Sequence, residues 1–70
     1  MATGIIKIFD REKRCGCIQD EGGGGVHFFH RACIARDYSP RKGDRVAFNL
    51  RANSLSGGLE AYEIYMLTAA

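Results

Sequence analysis

Arg45-Val46-Ala47-Phe48-Asn49-Leu50-Arg51 carries the cleanest pattern in the chain. Val46, Phe48 and Leu50 fall on one side of a period of two, and Arg45, Ala47, Asn49 and Arg51 on the other. That alternation is a strand with one face on a core. Upstream, Tyr38-Ser39-Pro40-Arg41-Lys42-Gly43 reads as a loop, and Arg31 to Ala35 as one short helical turn. Val26 to His30 reads as a strand, and Gly22-Gly23-Gly24-Gly25 before it as a turn, since glycine accepts positive φ without steric cost. Cys15 to Ile18 and Ile5 to Phe9 are two further strands, separated by the polar run Asp10 to Lys13. Downstream, a loop with Gly57-Gly58 leads into a last strand, Leu59 to Leu67.

Five short strands, with the longest connection between the third and fourth, predict an all-β fold: a five-stranded antiparallel Greek-key barrel of the OB type. Closure removes sheet edges that so small a domain has little else to cover. The 70 residues allow one domain over residues 1–70. A chain of this size buries about 60% of its unfolded surface, which leaves little room for a deep catalytic pocket. No apolar run approaches the ~20 residues of a membrane helix. Met1-Ala2-Thr3-Gly4 lacks the basic and apolar regions of a signal peptide, so the expected location is the cytoplasm. Three cysteines, an odd number, make a poor disulfide framework and agree with a reducing compartment.

The net charge of +2 is unevenly spread. All ten Lys and Arg lie between Lys7 and Arg51 with six of the eight Asp and Glu, leaving Glu60 and Glu63 beyond them. An excess of this kind favours a polyanion without proving one. Catalysis has no candidate: there is no Ser/His/Asp set and no carboxylate pair in an apolar setting. The glycine run precedes a strand and not a helix, so it is a turn and no phosphate loop. The expectation is a binding protein without cofactor or small-molecule substrate, and not an enzyme.

The order of motifs adds a resemblance. Gly4-Ile5-Ile6-Lys7-Ile8-Phe9-Asp10 resembles the opening strand of the cold-shock domain family, G-x-V-K-W-F-N. Lys13-Arg14-Cys15-Gly16-Cys17-Ile18 stands where that family has K-G-F-G-F-I, and His27-Phe28-Phe29-His30-Arg31 looks like its V-F-V-H-F. Arg41 to Phe48 resembles the following E-G-x-x-V-x-F segment, and Leu59-Glu60-Ala61 to Ile64 the closing Q-A-x-N-V. The resemblance runs from Gly4 to about Leu67. It implies a barrel that binds single-stranded RNA or DNA with little sequence preference, bases stacking on aromatic rings and cations following the phosphates. Side chains two apart on a strand share a face about 6–7 Å apart, and the glycine between them leaves the backbone slim for approaching bases. Every base has a π-face, so such stacking tolerates any sequence.

This chain departs from the pattern at the rings. Ile8 replaces the tryptophan, Cys15 and Cys17 replace two phenylalanines, and Arg31 replaces the last aromatic. Each lost ring weakens binding by about 1–3 kcal/mol. Phe28 and His30 remain, with Phe9 beside them and Tyr38 in the following loop. Arg14, where the family has glycine, and Arg31 bring guanidinium planes that stack on bases and pair with phosphate. Lys7 and Lys13 match basic positions of the same face. The expected nucleic-acid-binding set is therefore Lys7, Phe9, Lys13, Arg14, Phe28, His30, Arg31 and Tyr38. Binding by this set shifts toward electrostatics, with log K falling by roughly 0.7 per phosphate neutralised as log[salt] rises. The competing expectation is a protein-interaction module, docking a protein partner or a second copy on the apolar patch that lost its rings.

Cys15, Cys17, His30 and Cys33 invite a metal reading. Residues i and i+2 of a strand lie about 6–7 Å apart, however, and tetrahedral zinc needs its sulfurs within roughly 4 Å. Small apolar residues on the face are the better account of Cys15 and Cys17, and a buried filler that of Cys33. No helix N-terminus stands by to activate either thiol. His27, apolar in the family, is expected to be a partly covered strand residue beside the glycine turn. Phe29, Val46, Phe48, Ile18 and Ile34 are core by parity and resemblance. Ala61 and Ile64 cannot both point inward without an irregularity in the last strand.

Overall fold

The computed structural model describes residues 2–52 and 58–70; Gly57, assigned above to a loop, lies outside them. Five strands form, β1 (Ala2–Asp10), β2 (Cys15–Asp20), β3 (Val26–His30), β4 (Arg45–Ala52) and β5 (Leu59–Thr68), with a 3₁₀ turn at Arg31–Cys33. The first hairpin is closed by Asp10, whose Oδ1 accepts from the amides of Glu12 (2.9 Å) and Lys13 (3.2 Å). The second is closed by the glycine run: Gly23 and Gly25 adopt φ of 83° and 85°. There the Gly22 amide donates to Asp20 Oδ1 at 2.7 Å.

The sheet closes into a barrel in the order β1-β2-β3-β5-β4. Four of its five seams are antiparallel, but β3 meets β5 in parallel at Phe28–Glu60, and a separate parallel bridge joins Ile34 to Ile64. The fully antiparallel sheet expected from the sequence is thereby corrected to a mixed one. The cause is the long connection after β3, which carries the chain across the barrel so that β5 returns beside β3 in the same direction.

Of three register shifts among the described strands, two decide which core side chains face inward. In β1 the register slips between Ile6 and Ile8, so Lys7 is an extra residue and every side chain after it changes face. In β5, Asn49 pairs with Tyr62 and Ala47 with Tyr65, leaving one more residue on β5 than on β4. Glu63 takes up the difference at φ 52°, and Ala61 and Ile64 both become fully buried. The core comprises Ile6, Ile18, Phe29, Ile34, Tyr38, Val46, Phe48, Ala61 and Ile64. Ala47, on the polar side of the β4 alternation, is nevertheless buried, because its methyl lies between cross-strand Thr3 and Tyr65. Among the described residues no helix is long and apolar enough to cross a membrane.

Candidate nucleic-acid interface

Antiparallel register lines up the outer residues of β1, β2 and β3 in rows. Ile8, Cys17 and Phe28 form one row, and Asp10, Cys15 and His30 the next toward the end of the strands. Gln19 and Val26 share a row on the other side. Phe28 is 68% exposed and Ile8 56%, far more than a core could tolerate. The surface is thus one protruding ring in a shallow apolar field, with the two cysteines where neighbouring rings are absent.

His30 stands at the edge of that field. Its Nδ1 accepts from the Ala32 amide (3.3 Å) and caps the 3₁₀ turn, which fixes the ring and leaves Nε2 as a donor toward solvent. Lys7, thrown outward by its bulge, lies close enough to Cys17 to pull that thiol's pKa down. Burial and the neighbouring Cys15 outweigh it, so the Cys17 thiol titrates above its ordinary range. A thiol held protonated is a poor metal ligand and a poor nucleophile. Among the described residues no three His, Cys, Asp or Glu side chains group to hold a metal ion.

Beyond the His30 row come cations. Arg11 follows β1, Lys13 and Arg14 precede β2, and Arg31 follows β3. Among the described residues none of these, nor Lys7, forms an ion pair, whereas Arg45 is held by Glu21 (2.7 Å) and Arg51 by Glu60 (2.7 Å). Arg51 also lies over the Tyr62 ring at 4.7 Å. Five of the eight cations without an ion pair among the described residues therefore lie on or beside this face, with Asp10 and Glu12 among them. The other three, Arg36, Arg41 and Lys42, lie in the loop before β4. Arg14 adopts φ 57°, a left-handed conformation that costs a non-glycine residue about 1–2 kcal/mol. Its carbonyl accepts from the Arg31 amide at 2.7 Å, so the two arginines are tied to each other by the backbone.

Two aromatics of the expected set lie elsewhere. Phe9, moved inward by the Lys7 bulge, stacks parallel on Phe29 with centroids 5.9 Å apart and planes within 1°. It is half-buried, and its free side borders a cleft with Arg11, Arg14, Arg31, Ser39 and Pro40. Tyr38 is a core residue and not a loop contact. Its hydroxyl donates to the buried Asp44 Oδ2 at 2.6 Å, which also receives the Arg41 amide at 3.0 Å, while Asp44 Oδ1 receives the Ala70 amide at 2.9 Å. Burial and this hydrogen bond raise the Tyr38 pKa. For Asp44, burial pushes the pKa up, but Tyr38 and the Ala70 and Arg41 amides outweigh it and the carboxyl ends below its ordinary value. Gly16, expected to clear space for bases, clears it on the inside: a Cβ there would stand 2.8 Å from the Phe29 ring and 2.4 Å from the Ile8 carbonyl.

One pair has no counterpart in the sequence reading. His27 is buried, not partly covered, and its Nε2 lies 3.0 Å from Asp20 Oδ2 with its ring tilted on Phe48. The glycine turn folds over this pair, and a Cβ on Gly24 would approach Asp20 Oδ2 to 2.8 Å. The signal available was an acid just before the glycine run and a histidine just after it. In sequence comparisons the chain matches no family model and no curated protein.

Proposed function

We propose that this barrel is a cold-shock-type OB module that binds single-stranded RNA or DNA, with low sequence preference, across the outer face of β1, β2 and β3. One observation carries the reading. The most exposed ring of the face, Phe28, shares it with cations that have no acid partner among the described residues. An exposed ring beside unpaired Lys and Arg is the pairing that base stacking and phosphate neutralisation require. The closed five-stranded order and the motif resemblance support the same reading.

Phe28 and His30 face the bases, Lys7, Lys13, Arg14 and Arg31 the phosphates, and Arg11 joins them from the β1–β2 turn. Phe9 acts from the cleft at the end of the face, and Tyr38 acts only by holding the loop before β4. With at most one stacking phenylalanine on the outer face, electrostatics dominate. If three to five phosphates are neutralised, log K falls with log[salt] at a slope of about −2 to −3.5.

The test is fluorescence anisotropy of a labelled pyrimidine-rich single strand at low and moderate salt, for the wild type and for Phe28→Ala. Saturable binding at low salt, weakened by the variant by about 1–3 kcal/mol, is expected. Absence of binding at low salt would overturn the reading and leave the Ile8–Phe28 patch as a protein-docking surface.

A further inference from the structure

Arg11, Arg14 and Arg31 occupy the same structural position on three strands: the first residue past the end of β1, the last before β2 and the first past β3. The fold brings them to one cleft of about 410 Å³, completed by Phe9, Ser39 and Pro40. Small-ligand sites span about 300–1,000 Å³, so the cleft has room for a terminal nucleotide together with its phosphate. No acid lines the cleft, and none pairs with its arginines among the described residues. Three guanidiniums and one hydroxyl border it, with Arg31 Nη2 also donating to the Arg36 carbonyl at 3.4 Å, and guanidinium matches phosphate oxygens two at a time.

The cleft is also built firmly. Phe9 is fixed by its parallel stack on Phe29, and its apolar ring strengthens charge interactions beside it. Arg14 and Arg31 are joined by the backbone hydrogen bond at 2.7 Å. Ser39 and Pro40 sit between Tyr38 and Arg41, both tied to the buried Asp44 carboxylate. Arg14 is held at φ 57°, where glycine is the unstrained choice, so the guanidinium is present despite the backbone and not because of it.

We propose that this cleft binds the terminal phosphate monoester of the strand whose bases lie on the outer face; the inference rests on the reading of that face given above. Arg14 and Arg31 directly adjoin Cys15 and His30, so a strand passing from the Phe28 row to the His30 row reaches two of the cleft's three arginines. An internal phosphodiester carries one negative charge. A terminal monoester carries about −1.5 to −2 near neutral pH and offers three strong acceptor oxygens. Three guanidiniums answer the second of these better than the first.

The experiment compares labelled oligonucleotides of one sequence with a 5′-phosphate, a 3′-phosphate or hydroxyls at both ends, by anisotropy at about 50 mM salt. One phosphorylated end should bind roughly tenfold more tightly than the hydroxyl strand, and the advantage should shrink as pH falls below about 6. Arg31→Gln should remove the advantage. So should Arg14→Gly, which relieves the strained backbone and so separates lost binding from lost folding. Phe28→Ala should weaken all three strands while keeping their ratio. Equal affinity for all ends, or an advantage that survives both arginine variants, overturns the cleft and leaves the face intact. Failure of every strand to bind overturns the face reading and this inference together.

Discussion

Tyr38→Phe removes one oxygen from the interior and nothing from the surface. That oxygen is one of three donors to Asp44, a carboxylate only 2% exposed. Hydrogen bonds to charged groups contribute about 1.5–3 kcal/mol each, and at 2.6 Å this is a short one. A domain of this length is stable by about 3.5–10 kcal/mol in total, so the loss is a large fraction of it. A loss of about 2 kcal/mol lowers the melting temperature by roughly 8–16 °C. The pH dependence adds a second signature. The folded Asp44 carboxyl titrates below its ordinary value, so its contribution is present at neutral pH and is lost as pH falls through the folded pKa. Without the Tyr38 hydroxyl that depression is smaller. The gap between the two proteins should therefore be widest near neutral pH and narrow as pH falls below the ordinary carboxyl value of 3.8. Urea melts followed by far-ultraviolet circular dichroism across this range measure both effects. A gap under about 0.5 kcal/mol, or one that does not change with pH, would refute the role given to the Tyr38–Asp44 hydrogen bond.

Gly16→Ala should lower the urea midpoint by the equivalent of about 2–3 kcal/mol, because the new methyl meets the Ile8 carbonyl and the Phe29 ring at once. An unchanged midpoint contradicts the close packing of the Phe29 ring and the Ile8 carbonyl against Gly16. Cys17→Phe puts a ring in the row beside Phe28 and should tighten single-strand binding by about 1–3 kcal/mol in the anisotropy assay. No gain would mean that the strand does not cross that row. Asp20 titrates below its ordinary value, chiefly through the His27 hydrogen bond and then the Gly22 amide, with burial opposing them and the His27 charge helping. Its contribution is present above the ordinary value of 3.8 and lost as pH falls through the folded pKa. Asp20→Asn should accordingly flatten the acid limb of the stability profile, and urea midpoints between about pH 3 and pH 6 that keep the wild-type slope would count against the pair.

The barrel was legible because short alternating strands bury one face, and alternation is local. Val46, Phe48, Ile18, Phe29 and Ile34 were recognisable as core from that parity together with the motif resemblance. The bulge at Lys7 was not: without it, Lys7 and Phe9 share a face, and with it Ile8 turns outward while Phe9 turns in. The register of β1 against β2 decides this, and nothing within β1 announces it. In β5 the buried pair Ala61 and Ile64 did require an irregularity, and Glu63 supplies it. Tyr38 stood beside Ser39 and Pro40 and read as a loop aromatic. What draws it inward is a buried carboxylate six residues on, together with the Ala70 amide from the far end of the chain. The parallel seam had the same character, since it joins segments whose meeting depends on the whole topology. The arginine cleft was visible only in part: Arg14 and Arg31 were singled out, but Arg11 joined them through strand ends that lie together in space and apart in sequence.

The seam between β3 and β5 has a consequence for assembly. The other four seams form one continuous ribbon, β3-β2-β1-β4-β5, and the Phe28–Glu60 pair and the Ile34–Ile64 bridge clasp its two ends. Closing a clasp between distant segments carries a loop-entropy cost that the neighbouring hairpins do not meet. The β1–β4 seam joins residues farther apart still, Ala2 with Phe48, so both long-range seams should follow the local hairpins β1-β2-β3 and β4-β5. Phe28, the side chain on which the proposed function turns, is half of that clasp. Its surroundings are complete only when the ribbon has become a barrel, which makes the binding face a late product of folding.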